Sequence, residues 1–133
     1  MKRRVAALLA SGVCIVVALM FPTPASAAIS QITISPTAQV SSQGAFVTVT
    51  VTYQCTPSEP ANIEVYVAQA RGTDLVEGYG FHFGTCGSFT QTSQILVQAR
   101  SGMPYHPGQA VATASDFDGG GAFTGPVEIR LAR

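Results

Sequence analysis

Apolar and polar residues alternate through most of the chain beyond residue 28. Val47, Val49, Val51, Tyr53 and Cys55 interleave with Thr48, Thr50, Thr52 and Gln54. This period of two belongs to a strand with one buried face and one solvated threonine face. Ile32 and Ile34 alternate with Thr33 and Ser35 before Pro36 closes that strand, and Ile63, Val65 and Val67 form the next run beyond Pro57 and Pro60. Residues 71–78 read as a polar loop. Tyr79, Phe81 and Phe83 then form an inward-facing run that leaves His82 on the outer side. Cys86 falls on the opposite parity, so a bulge at Gly84 is expected to bring it inward. Strands at 89–99, 111–115 and 127–131 complete the set, separated by a Pro/Gly loop at 100–109 and a flexible turn at 116–121.

No segment carries apolar residues at helical spacing for three turns. Seven strands at intervals of 8–12 residues predict an all-β fold, an immunoglobulin-like antiparallel two-sheet sandwich forming one domain over residues 28–133.

The N-terminal segment follows another rule. Met1-Lys2-Arg3-Arg4 precedes an apolar run from Val5 to Phe21, then Pro22-Thr23-Pro24 and the small residues Ala25-Ser26-Ala27. A positive start, an apolar centre and an A-x-A exit make a secretory signal peptide over 1–27, cleaved between Ala27 and Ala28. A retained anchor is the alternative, but a run this short with a cleavage site behind it favours removal. The protein is therefore expected to be secreted and extracellular, touching a membrane only through the leader before cleavage.

Removing the leader alters the charge. The precursor balances seven Lys+Arg against seven Asp+Glu. Loss of Lys2, Arg3 and Arg4 leaves four arginines against seven carboxylates, a balance of −3 with no lysine. Nucleic-acid binding needs clustered cations facing phosphate, so nucleic acid is not an expected partner. Cys14 departs with the leader, and Cys55 and Cys86 remain as an even pair in an oxidising compartment, where a disulfide is expected. Neither they nor His82 and His106 show zinc-site spacing, and no cofactor is implied.

Three segments carry a resemblance: Gly44-Ala45-Phe46-Val47-Thr48-Val49-Thr50-Val51-Thr52-Tyr53-Gln54-Cys55, Thr85-Cys86-Gly87 and Pro107-Gly108-Gln109-Ala110. Through them, residues 28–133 resemble a family of uncharacterised secreted actinobacterial domains with one disulfide and an immunoglobulin-like fold. That resemblance implies no activity. A weaker similarity is to the apoproteins of enediyne chromoproteins, which carry a small ligand in a cleft. Their second, cleft-forming disulfide has no counterpart in this chain.

Catalytic chemistry finds little support. His82, His106, Asp116 and Asp118 are present among many serines, but no G-x-S-x-G elbow occurs. Asp116-Phe117-Asp118-Gly119-Gly120-Gly121 has the D-x-D start of a calcium loop without its third acidic position or closing glutamate, and is read as a hairpin turn. Tyr105 and His106, on the proline-stiffened loop Met103–Gly108, are the candidate binding residues. The expected function is a non-catalytic secreted module binding an extracellular or cell-wall partner. A small-ligand carrier is the rival.

Overall fold

The computed structural model describes residues 28–100 and 102–133, so the leader, with Cys14 and the cleavage residue Ala27, lies outside the described residues. The strands are β1 (Ile29–Ile34), β2 (Thr37–Val40), β3 (Phe46–Cys55), β4 (Ile63–Arg71), β5 (Asp74–His82), β6 (Thr90–Ala99), β7 (Gly108–Asp116) and β8 (Phe123–Ala132). The all-β expectation holds.

The immunoglobulin-like sandwich does not. The strands join as one sheet in the order β1-β3-β2-β8-β7-β4-β5-β6, and β6 returns to pair with β3, closing seven of them into a mixed barrel. Two features produce closure. β3 is ten residues long and pairs with β6 along one edge from Phe46↔Gln98 to Gln54↔Thr90. Its other edge is shared by β1 and by β2, a four-residue strand just after Pro36. β2 then pairs in parallel with β8 at Thr37↔Arg130, Ala38↔Leu131 and Gln39↔Ala132, supplying the link that two separate sheets would lack. Closing a sheet on itself leaves fewer unpaired edges.

The barrel interior is filled largely by small and β-branched residues. Val47, Val49 and Val51 meet Ile63, Val65 and Val67, with Ala112 and Ala114 on β7 leaving them room; all are fully buried. Such alternation of large and small residues gives dense packing without voids. A tyrosine occupies each end. Tyr53, 2% exposed, has its hydroxyl 3.1 Å from Ser93 Oγ, while Tyr105, 1% exposed, donates to the Val67 carbonyl at 3.0 Å. Burying a phenol requires such a partner.

Residues 71–78 correct a second expectation. They form a hairpin: β4 and β5 pair from Ile63↔His82 to Arg71↔Asp74 across Gly72-Thr73. Gly72 at φ +61° supplies the positive φ that a two-residue hairpin turn demands. This hairpin sets β5 in the opposite phase to the one expected. Val76, Gly78 and Gly80 are the inward residues, while Tyr79, Phe81 and Phe83 point out. The cause is the crossing with β6. A Cβ on Gly78 would overlap the Gln98 carbonyl, and one on Gly80 the Leu96 carbonyl, so these two inner positions must be glycine.

His82 accordingly has inner parity, half-buried at the barrel mouth with Nε2 3.4 Å from the Tyr53 hydroxyl. Cys86 reaches the interior without a strand bulge. β5 ends at His82, and the following loop carries Cys86 inward to 1% exposure, its N–H donating to the Glu59 carbonyl at 2.8 Å.

Candidate functional site

The phase of β5 turns an aromatic row outward. Register places Phe81 opposite Glu64, Tyr79 opposite Tyr66 and Glu77 opposite Ala68. Beyond β4, Glu64 faces Ser115 of β7, which faces Phe123 of β8. Leu75, Tyr79, Phe81, Val111 and Phe123 therefore share one outer face, each at least 36% exposed. Glu64 and Ser115 stand between Phe81 and Phe123, so the apolar residues on this face are concentrated along β5 and at its end.

Three phenylalanines gather at the end of that face. Phe81 and Phe83 lie with ring planes 8° apart and centroids 6.0 Å apart, and Phe117 meets each edge-on at 5.6 Å. Their exposures are 47%, 64% and 50%, so the rings pack on one another and still face solvent. Asn62, in the loop before β4, ties the segments that carry two of them. Its Oδ1 accepts from the Gly84 N–H at 3.2 Å, its carbonyl accepts from the Phe117 N–H at 2.9 Å, and its Nδ2 donates to Asp118 Oδ2 at 2.9 Å. The Cys55–Cys86 disulfide, Cα atoms 6.0 Å apart, fixes the loop that follows Phe83 to the end of β3.

Tyr66 and Tyr79 extend the row, their centroids 4.9 Å apart. The Tyr66 hydroxyl donates to Glu77 Oε2 at 2.6 Å. That bond, followed by partial burial and the repulsion of a second negative charge beside the carboxylate, pushes the phenol up to about 12. The Arg100 guanidinium lies 5.3 Å from the centre of the Tyr79 ring. An open groove of about 580 Å³ runs between Tyr79, Phe81, Gln98, Ala99 and Arg100.

The residues singled out by sequence fall elsewhere. Tyr105 is a packing residue whose acidity burial suppresses. His106 is held beside it by its backbone, through an N–H to Gln69 Oε1 at 2.9 Å and a carbonyl accepting from Gln69 Nε2 at 2.8 Å. Gln69 is itself only 3% exposed. This loop lies against the far end of the barrel, with Tyr105 inside it and His106 half-buried. Asp116 and Asp118 serve the turn: Asp116 Oδ1 accepts the Asp118 N–H at 3.0 Å, and Asp118 accepts from Asn62. Among the described residues no group of three or more His, Cys, Asp or Glu gathers as a metal site. His82 stands with Tyr53, and its strand register puts it across Ile63 from Asp116. Ala28 accepts the Thr56 N–H at its carbonyl, 2.9 Å away. Thr48, Thr50 and Thr52 line the outer side of β3, as their alternation predicts.

The signal for the aromatic face was present as Gly78 and Gly80 alternating with Tyr79 and Phe81. Either set can be the inner one, and only the β6 crossing decides.

Comparison with family models and with curated protein sequences finds no match. Among solved structures, a β-glucosidase from Streptomyces venezuelae is similar over 78% of this chain at 18% identity, with a TM-score of 0.41. This chain spans 15% of that enzyme's length.

Proposed function

We propose that the protein is a secreted, non-catalytic binding module that engages an extracellular or cell-wall partner through the outer face of β5 and its neighbours. The observation that carries this reading is the cluster of Phe81, Phe83 and Phe117, exposed yet held by Asn62 and the disulfide. Aromatic residues fixed before binding lose little conformational entropy on contact, which is how recognition hot spots work. A carrier reading gains less support, because valines, isoleucines and two tyrosines occupy the barrel interior. The Cys55–Cys86 disulfide is compatible with an oxidising compartment.

The test is co-sedimentation of the exported protein with isolated bacterial cell walls. Retention is expected for the native protein and lost in Phe83→Ser/Phe117→Ser, with the unfolding midpoint unchanged. Equal retention of both proteins, or of neither, overturns the reading. N-terminal sequencing of the exported material should begin at Ala28; a product beginning at Met1 in the membrane fraction overturns the secreted part.

A further inference from the structure

We infer that the aromatic row along β5 is a subsite for a neutral, β-linked polysaccharide chain. The inference rests on the binding-module reading above and names its ligand class.

The aromatic residues follow one strand and the segment just beyond it. Tyr79 and Phe81 are alternate residues of one strand, and Phe83 continues the line just past its end, a rise of about 6.6 Å for each pair of strand residues. Phe81 and Phe83 present rings that are parallel to within 8°. Two parallel rings in line with a third aromatic residue on the same strand, its ring beside the Arg100 guanidinium, suit a ligand that is itself extended and flat-faced. A β-linked hexose chain has that form: each ring offers a face of C–H bonds to an aromatic ring and turns its hydroxyls to the rim.

Polar groups stand where those hydroxyls would lie. Gln98 and Arg100 flank one side of the groove beside Tyr79 and Phe81. Glu64 and Tyr66 of β4 lie on the other, and Glu77, next to Tyr79 in the outward row of β5 itself, accepts from the Tyr66 hydroxyl. Amide, guanidinium and carboxylate groups bracketing aromatic rings can donate to and accept from vicinal hydroxyls. The groove, about 580 Å³, is within the size range of small-ligand sites and is open.

Charge narrows the class. Arg100 lies over Tyr79, while Glu64 and Glu77 share the face and Asp118 stands next to Phe117. A polyanion or an anionic membrane would meet more carboxylates than cations there, and residues 28–133 carry no lysine. Neutral chains meet no such penalty.

Affinity electrophoresis of the full exported protein in native gels tests the inference. The gels contain hydroxyethylcellulose or glycol chitin as neutral probes and carboxymethylcellulose as the anionic control. Retardation is expected with at least one neutral polymer and not with the control. Tyr79→Ala and Phe81→Ala should each weaken it at least tenfold, while Thr50→Ala on the outer face of β3 leaves it unchanged. Circular dichroism melts of each variant verify that the barrel is intact; if Phe81→Ala unfolds, Phe81→Leu, which keeps bulk without a flat ring, replaces it and should also lose retardation. Migration unaffected by both neutral polymers overturns the inference. So does retardation that survives both ring substitutions, a concentration-dependent dimer abolished by Phe81→Ala, or co-flotation with phosphatidylcholine vesicles abolished by the same change. If cell-wall retention still depends on Phe83 and Phe117 while no neutral polymer retards the protein, the ligand class fails and the binding reading stands.

Discussion

The two outer faces of this barrel share a backbone plan and differ in almost every side chain. On β3 and β6 the outward residues are Thr48, Thr50 and Thr52 beside Leu96, Gln94 and Thr92, with Thr52 and Thr92 hydroxyls 3.1 Å apart. On β5 and its neighbours they are Leu75, Tyr79, Phe81, Val111 and Phe123. Inward of both, burial is nearly complete: Val47, Val49 and Val51 on one side, Val65, Val67 and Val76 on the other. The inner rows establish the fold, so the outer rows are free to vary. A threonine face is β-prone and well solvated, and it shows that this barrel does not need aromatic rings outside. Their concentration on one face is accounted for either by binding, as proposed above, or by packing of the loops that carry Phe83 and Phe117.

The strongest way to break the comparison is to cut the covalent link between the two regions. Cys55 ends the threonine-faced strand and Cys86 lies in the loop beyond Phe83. Their separation of 31 residues implies that Cys55→Ala/Cys86→Ala costs about 3–4 kcal/mol in chemical denaturation. Reduction of the native protein should lower the thermal midpoint in the same direction. The second cut is at the seam. Gly80→Val drives a side chain into the Leu96 carbonyl and should cost about 3 kcal/mol, read from the urea midpoint. A neutral result would mean that β5 and β6 separate easily, and that close backbone approach does not set the phase of β5.

That phase shows where sequence reading reached its limit. β3 was legible because its Val/Thr alternation admits only one inner face. β5 was not, because glycine and phenylalanine alternate there, and apolarity alone assigns the rings to the core. The decisive contact is with the Gln98 and Leu96 carbonyls, some twenty residues away in sequence. β2, four residues after a proline, carries too little period to be read from sequence. Its parallel pairing to β8, and with it closure of the barrel, is equally silent there. The loop position and aromatic character of Tyr105 and His106 are visible in sequence, whereas the burial of Tyr105 and the Gln69 bonds that hold the loop against the barrel are not. The cysteine pair was legible from counting alone.

Smaller changes sharpen the comparison within the aromatic face. Asn62→Ala removes side-chain bonds to Gly84 and Asp118 and should cost about 1 kcal/mol. Its larger effect should be on Phe83 and Phe117, whose ring proton shifts should move toward averaged values while those of Tyr105 stay fixed. Alkaline titration probes Tyr66. Its folded pKa, raised from 10.0 to about 12, means that the contribution of the Glu77 bond is complete below pH 10. It is lost as pH rises from 10 to 12. Absorbance in the near ultraviolet should lose one of the late-titrating tyrosines in Tyr66→Phe, while Tyr105, held up by burial, still titrates after it. A Tyr66→Phe profile identical to the native one would mean that the bond does not form in solution.

The smallest expected effect on stability bears most directly on the comparison. Phe83 is 64% exposed and its ring packs against other exposed rings. If the aromatic face exists for binding, Phe83→Thr makes it resemble the threonine face and should change the unfolding free energy by no more than about 0.5 kcal/mol, as at an ordinary surface site. The reciprocal change, Thr50→Phe, should be similarly mild, because β3 tolerates an aromatic side chain facing water. Both are read from urea midpoints, with slopes checked for constancy. A loss of about 2 kcal/mol or more from Phe83→Thr alone would exceed what a surface site loses. It would show that the three rings form a second small core cementing the loops at 56–62, 83–89 and 117–122. The two faces would then differ because one must hold loops together and the other need not. An unchanged midpoint combined with lost cell-wall retention would separate the two explanations, since a packing role cannot vanish without a thermodynamic trace.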